Sequence, residues 1–439
     1  MKKVSWNFLE KLRWKGFWWL DSFKKTELDT LYSENFYAFK NGTSYADTEE
    51  KLRRLMDHAR KNTEFYKDIP EDAKLTDFPV VDKEVLRNNY DSILVKSFAD
   101  APGSRKMSTS GSTGTPLTIV QDRNKVLHDT VDGIFLGVLG NYYIGQKMAF
   151  IRVWVHNVRK SPLVLFMQNY IMMDSSSLSD ESIKKMLDTL KKQKVRCVVG
   201  YASALTEISK YIDRTSYDLT GHVISSIIPI SESMPEKVRE RLSCQFGCYV
   251  QSWYSNEENG IMGIQGRNCE DYYINSENYY YEILKMDSDE PAEDGELGRI
   301  VITDLNNFAF PIIRYDNGDT AIARHVDKGQ RYKLFLKQIY GRRSDIIYDT
   351  EGNALTPFII TNNLWDAAGV KQYQFIQKGK TKYLLKLNGD PEIMDIEDIR
   401  GRIIPYLGSN AQMEIEFTDE IPVLASGKRK YIVCELSDQ

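Results

Sequence analysis

Between residues 117 and 304 the chain alternates short runs of apolar and β-branched residues with longer amphipathic segments, and this alternation constrains the fold more than any other feature. "PLTIV", "KMAFIRVWV", "VRCVVGY", "VISSIIPI" and "CYVQSWYS" read as extended, whereas "SDESIKKMLDTLKKQK", "SALTEISKYIDRT" and "PEKVRERLSCQF" read as helical. Such a succession implies a mostly parallel sheet with helices on its faces. Two helix starts are marked chemically, by Ser179 with Ser182 and by Ser233 with Pro235 at an early helical position.

The flanks have other periods. Residues 1–100 read as an accessory helical layer, in which Leu52, Leu55, Met56 and Ala59 share one stripe and the charges fall elsewhere. "GELGRIVITDLNNFAFPIIRYDNGDTAIA" reads as strands joined by turns, with "DNGD" a strong turn signal. After "YGRRSD" another short α/β pattern follows ("KQYQFIQ", "KYLLKL", "IMDIEDIRGRIIPYL", "AQMEIEF"), enough for a domain of about 100 residues. A chain of 439 residues also exceeds the roughly 250–300 at which one hydrophobic core stops growing. The expected fold class is α/β: a large N-terminal domain over 1–341 with layered α/β parts and a β-rich region, then a small α+β domain over 342–439. The boundary falls near Arg342 to Asp345.

Composition narrows the function classes. Lysine and arginine number 58 against 62 acidic residues, a formal net charge of -4, so no global field draws the chain to nucleic acid. The best apolar run, "PLVLFMQNYIMM", is broken by Gln168 and Asn169 and falls short of the ~18–20 residues of a membrane span. "MKKVSWNFLEKLRWKGFWWLDSF" starts with lysines, but Asn7, Glu10, Lys11, Arg13 and Lys15 interrupt any signal-peptide core, so the segment is expected to be retained. Its Trp and Phe residues recur at near-helical spacing among basic residues; an interfacial membrane helix and a terminal helix packed on the body are the two readings. Five cysteines argue against a disulfide framework and for a reducing compartment, hence a soluble cytoplasmic protein. Cys244 and Cys248, with Cys269 downstream, have a spacing that zinc sites use but lack a fourth ligand at matching distance; free buried cysteines are the alternative.

"MSTSGSTGTPLTIV", Met107 to Val120, sets a glycine- and hydroxyl-rich loop directly before a strand. Such a run lets backbone N–H groups and hydroxyls converge on a phosphate, although "GSTGTP" lacks the G-x-x-x-x-G-K-[ST] frame of the triphosphatase P-loop. Further stretches follow in order: "WYSNEENG" (Trp253 to Gly260), "GELGRIVITDL…RYDNGD" (Gly295 to Asp319), "GRRSD" (Gly341 to Asp345) and "SGK" (Ser426 to Lys428). Together they resemble the signature series of the adenylate-forming ligase superfamily. Within it, "LRRLMDHARKNTEFY", "FPVVDKEVLRNN" and "GYASALTEIS" resemble the phenylacetate-CoA ligase family, particularly its capsular polysaccharide biosynthesis (CapK-like) branch.

The resemblance implies a small C-terminal domain that rotates on a hinge and a two-step reaction. A carboxylate attacks the α-phosphorus of ATP, pyrophosphate leaves, and the acyl-adenylate passes its acyl group to a thiol. ATP, Mg2+ and CoA are the implied cofactors and a small-molecule carboxylic acid the substrate. The chain has no carrier-protein serine motif, so the acceptor is external. Transfer to an amine in polysaccharide decoration, or a nucleotide-binding assembly protein without catalysis, are the alternatives.

By matching position, Ser108, Thr109, Ser110, Gly111, Ser112, Thr113 and Gly114 would hold the β- and γ-phosphates and Pro116 would end the loop; Leu117 stands where the family often has a lysine. Tyr254 would pack on adenine, followed by Ser255 and Asn256, and Glu258 would hold Mg2+, with Glu257 the departure from the pattern. Ser231 and Glu232 would line the adenosine pocket, the competing reading being that Ser231 and Ser233 begin a helix. Asp319 would chelate the ribose hydroxyls, or else merely form a tight turn with Asp316. Arg342 would sit near ribose and phosphate and Asp345 at the hinge. Lys428 would bridge the attacking carboxylate and the α-phosphate, with Lys430 as the competing choice. "FIRVWVHN" and "VGYASAL" fall on the acyl pocket, with Arg152, His156 and Tyr201 the candidates to meet the acid; a spectator histidine is the other reading of His156.

Overall fold

The structure is a computed structural model describing residues 6–108, 117–153, 162–267, 271–342, 347–355, 358–364, 367–422 and 431–436. Three helices open the chain: Phe8–Lys24, Leu28–Asn41 and Tyr45–Asn62. The first begins with a reciprocal cap, the Asn7 side chain accepting from the Glu10 N–H at 2.8 Å and the Glu10 carboxylate from the Asn7 N–H at 2.9 Å. In the third, Leu55 and Ala59 bury against Tyr66, Phe78 and Ile313, the stripe that the sequence marks.

The alternating region forms a five-stranded, all-parallel sheet in the order Tyr170–Asp174, Met148–Arg152, Cys197–Tyr201, Ser226–Ile230, Tyr249–Val250. Helices Asp180–Lys192, Ala202–Thr215 and Glu236–Phe246 return the chain between strands, and their Leu187, Ile208 and Val238 share one core with Val198 and Ile228. The strands' C-terminal ends therefore lie along one edge, where open α/β sheets place their ligands.

Several expectations need correction. "PLTIV" does not enter the parallel sheet; Thr118–Gln121 pairs antiparallel with Arg105–Ser108 in a separate two-stranded hairpin. "CYVQSWYS" is divided, Tyr249–Val250 ending the parallel sheet and Trp253–Asn256 starting an antiparallel one. Ser231 and Ser233 do not begin a helix: Pro235, with no N–H to satisfy and φ near its fixed value, is the N-cap of Glu236–Phe246, and no side chain caps that end. Ser179 does cap its helix, accepting from the Ser182 N–H at 3.3 Å.

The β-rich region is larger than expected, an eight-stranded sheet whose path runs Tyr279–Leu284, Leu297–Asp304, Tyr315–Asp327, Arg331–Arg342, Tyr272–Ile274, Gly260–Gln265, Trp253–Asn256, with Thr43–Ser44 on Arg331–Arg342. "DNGD" is not a turn between strands. It lies inside Tyr315–Asp327, where pairing with Leu297–Asp304 jumps from Arg299↔Thr320 to Val301↔Asp316 and Gly318 adopts φ +81°. Burial of Tyr315, Ala321 and Ala323 on either side holds the strand, and the turn-forming residues become a bulge within it.

Residues from Ile347 onward have their own core around a four-stranded mixed sheet, ordered Gln412–Phe417, Lys382–Gly389, Val370–Gln377, Ile432–Cys434, with helices Phe358–Leu364 and Ile396–Leu407. Among the described residues no helix is long and apolar enough to cross a membrane, and no group of three or more His, Cys, Asp or Glu could hold a metal ion. Cys248 is buried in the parallel-sheet core and Cys244 is exposed, while Cys269 lies outside the described residues.

Candidate active site

Strand Trp253–Asn256 follows the C-terminal end of the last parallel strand, so the chain enters the antiparallel sheet at the edge where ligands bind. Tyr254 is buried there. Its hydroxyl donates to Asp319 Oδ2 at 3.1 Å, and Asn317 Nδ2 donates to that hydroxyl at 2.6 Å and to Asp319 Oδ2 at 3.3 Å. Burial, then the Asp319 charge, push the Tyr254 phenol well above its ordinary value, so it remains a neutral donor. Asp316 acts on the backbone instead. It pairs with Arg299 at 2.8 Å and accepts from the Gly318 N–H at 2.9 Å, holding the bulge that sets the register of Asp319. Across the next strand pair Asp319 stands opposite the backbone of Arg342.

Glu258 sits in the turn beyond Tyr254. It is buried, accepts from the Tyr315 hydroxyl at 3.2 Å and pairs with Lys83 Nζ at 3.2 Å, whereas Glu257 is exposed. Lys125 supports this turn: its fully buried ammonium donates to Asn259 O at 2.7 Å and Tyr279 OH at 2.9 Å, and pairs with Asp304 at 2.7 Å and Asp129 at 3.0 Å. Burial alone would lower the Lys125 pKa; the Asp129 and Asp304 charges outweigh it, raise the value and keep the group charged.

The glycine-rich loop is framed by its stems. Ser108 Oγ lies 3.0 Å from Thr118 Oγ1, and Leu117 is buried in one cluster with Val81, Leu86, Ile119 and Tyr315. A lysine at 117 would have to be buried in that cluster; the positive charge beside Glu258 comes from Lys83 instead, at the start of helix Lys83–Asn88. Sequence reasoning missed both Lys83 and Lys125. The local signal for Lys83 was its place directly after the capping Asp82 in "FPVVDKEVLRNN", and that for Lys125 its i,i+4 spacing to Asp129.

At the parallel sheet's C-terminal edge the register sets Arg152 opposite Asp174, Ile151 opposite Gly200 and Tyr201 opposite Ile230, so Arg152, Tyr201 and the segment after Ile230 stand level. Burial raises the Tyr201 phenol, Arg152 opposes that by charge and a hydrogen bond, and the Glu232 and Glu257 charges raise it further. Glu232 also accepts from the Ser203 N–H at 2.8 Å, in the first turn of Ala202–Thr215. Ser231 is exposed with φ +67°, an uncommon conformation for a residue with a side chain. Ser255 and Asn256 complete the strand after Tyr254, and Asn256 Oδ1 accepts from the Asn259 N–H at 2.6 Å. Thr109, Ser110, Gly111, Ser112, Thr113, Gly114, Pro116, His156, Asp345, Lys428 and Lys430 lie outside the described residues, and of Arg342 only the backbone is described.

A parallel sheet whose carboxyl edge meets an antiparallel sheet, followed by a small α/β module, is the fold of the adenylate-forming ligases. The structure matches 2-hydroxyisobutyryl-CoA ligase, solved in the postadenylation state in complex with 2-HIB-AMP, with a TM-score of 0.70 and 14% identity over 90% of this chain and 91% of that one. Residues 347–435 match the family model of the CapK C-terminal domain. Protein CapK of Staphylococcus aureus is 22% identical over 413 residues, 88% of each chain, and the phenylacetate-coenzyme A ligase of Thermus thermophilus is 21% identical over 358 residues, 73% of each. The chain is a homologue of both.

Proposed function

We propose that this chain activates a carboxylic acid with ATP, releasing pyrophosphate, and passes the acyl group of the resulting acyl-adenylate to the thiol of CoA. The Tyr254–Asp319 hydrogen bond carries this reading: two residues 65 positions apart, matched separately to the adenine and ribose contacts of the superfamily, meet at the ligand edge of the appropriate fold. In this proposal Tyr254 presents its ring to adenine while its hydroxyl orients the Asp319 carboxylate toward the ribose hydroxyls. The residues Ser108 to Gly114 would hold the β- and γ-phosphates, and Lys83 would supply the charge that Leu117 does not.

Magnesium on a triphosphate keeps several waters and needs only one or two protein carboxylates. The single buried carboxylate of Glu258 fits that demand, and the ion would supply neutralisation of phosphate charge. Lys428 would bridge the attacking carboxylate and the α-phosphate, easing the approach of two anions. Arg152 and Tyr201 would meet the acid.

ATP–pyrophosphate exchange by the full chain across aryl, fatty and amino acids, followed by product analysis with and without CoA, tests the reading. Acid-dependent exchange with a thioester product is expected. Exchange without thioester formation would move the second step to another acceptor such as an amine; no acid-dependent exchange anywhere in the panel would leave a nucleotide-binding assembly role.

A further inference from the structure

We infer that helix Phe8–Lys24 is an interfacial anchor that lays this chain on an anionic lipid surface. Its apolar stripe faces outward. Helical geometry puts Phe8, Leu9, Leu12, Trp19, Leu20 and Phe23 within about one third of the circumference. Of these, Phe8, Leu12, Trp19 and Phe23 are 78%, 56%, 66% and 72% exposed, and the Trp19 and Phe23 rings stack on each other with centroids 5.5 Å apart.

The opposite, acidic side holds the helix to the body. Buried Glu10 pairs with Arg196 at 3.0 Å, and buried Asp21 accepts from the N–H groups of Leu28 and Asp29 at 3.1 Å each. Trp6 packs on Tyr143 and Trp18 on Tyr32. The seat is close: a Cβ on Gly145 would lie 2.8 Å from Glu10 O and 2.9 Å from Trp14 N. The outward aromatics are therefore a consequence of specific docking.

Charge identifies the partner. Lys11 and Lys15 border the stripe on one side, Arg13 and Lys24 on the other, and Lys25 follows at the C-cap, while the helix's two acids, Glu10 and Asp21, are turned inward. The outward surface of this helix is uniformly basic on a chain whose formal net charge is -4. Phe166 and Met167, also exposed, extend the apolar surface, with Arg13 lying over the Phe166 ring at 5.7 Å. An apolar stripe between basic borders matches the acyl–headgroup boundary of an anionic bilayer. A two-fold contact between copies would instead bring like-charged borders together.

The inference is independent of the proposed reaction and is tested by flotation of the full chain with phosphatidylcholine vesicles, alone or with about one third phosphatidylglycerol. Binding to the anionic vesicles, weakened by salt, is expected. The double variant Trp19→Ser with Phe23→Ser should lower that partition about tenfold or more while circular dichroism and gel-filtration volume stay those of the parent. Lys11→Glu with Lys15→Glu should remove the preference for anionic lipid. A folded parent that does not float with the anionic vesicles, or a concentration-dependent dimer that the Trp19 variant breaks, would overturn the assignment.

Discussion

Glu257 and Glu258 are neighbours with different surroundings, one exposed and the other buried between Tyr315 and Lys83. Glu258→Gln should therefore lower acid-dependent pyrophosphate exchange by about 10²-fold or more, while Glu257→Gln stays near the parent; the reverse outcome would put the metal ligand at 257. Under the proposed reading Lys83→Ala should raise the KM for ATP about tenfold, through loss of an ionic contact to the phosphates. Lys125→Met, which leaves the buried Asp304 carboxylate without its cation, should cost about 3–5 kcal/mol in urea unfolding. Tyr254, Glu258 and Asp319 were legible as candidates because each sits in a motif whose neighbours constrain it. The two lysines were not: apart from Asp129, four residues from Lys125, the groups that hold them, Asn259, Asp304 and Glu258, lie far along the chain.

At the scale of elements, helix and strand periods were readable, and the segments Asp180–Lys192, Cys197–Tyr201, Ala202–Thr215 and Ser226–Ile230 fall where the pattern puts them. Sheet membership was not. "DNGD" has turn chemistry, yet Tyr315 and Ala321 bury on either side and make it a bulge that brings Asp319 to Tyr254. Gly318→Ala, at φ +81°, should cost about 1–2 kcal/mol in urea unfolding and raise the KM for ATP through the displaced carboxylate. Leu117 is similar: its burial with Ile119 and Tyr315, not its local sequence, sets what that position accepts.

For the molecule as a whole, stability should carry the imprint of Asp132. Burial pushes its carboxyl up to about 8, against the opposing influence of Lys125 and the Asn35 and Asn278 amides. The folded chain then retains a proton that the unfolded chain releases near pH ~4, so this group's contribution falls as pH rises from about 4 to 8. Thermal melts between those limits should show that slope, and Asp132→Asn should flatten it. Under the proposed reaction, Lys428→Ala should abolish pyrophosphate exchange and spare conversion of a supplied acyl-adenylate to acyl-CoA, measured as separate half-reactions. Sequence by itself determined the helical and extended periods, the capping of Asp180–Lys192 and the identities of the motif residues, because these depend on side chains a few positions apart. Only the tertiary structure decided that Trp253–Asn256 leaves the parallel sheet, that Lys83 meets Glu258, and that helix Phe8–Lys24 turns its aromatics outward. Those outcomes are set by burial and pairing between distant segments, which no local stretch of sequence contains.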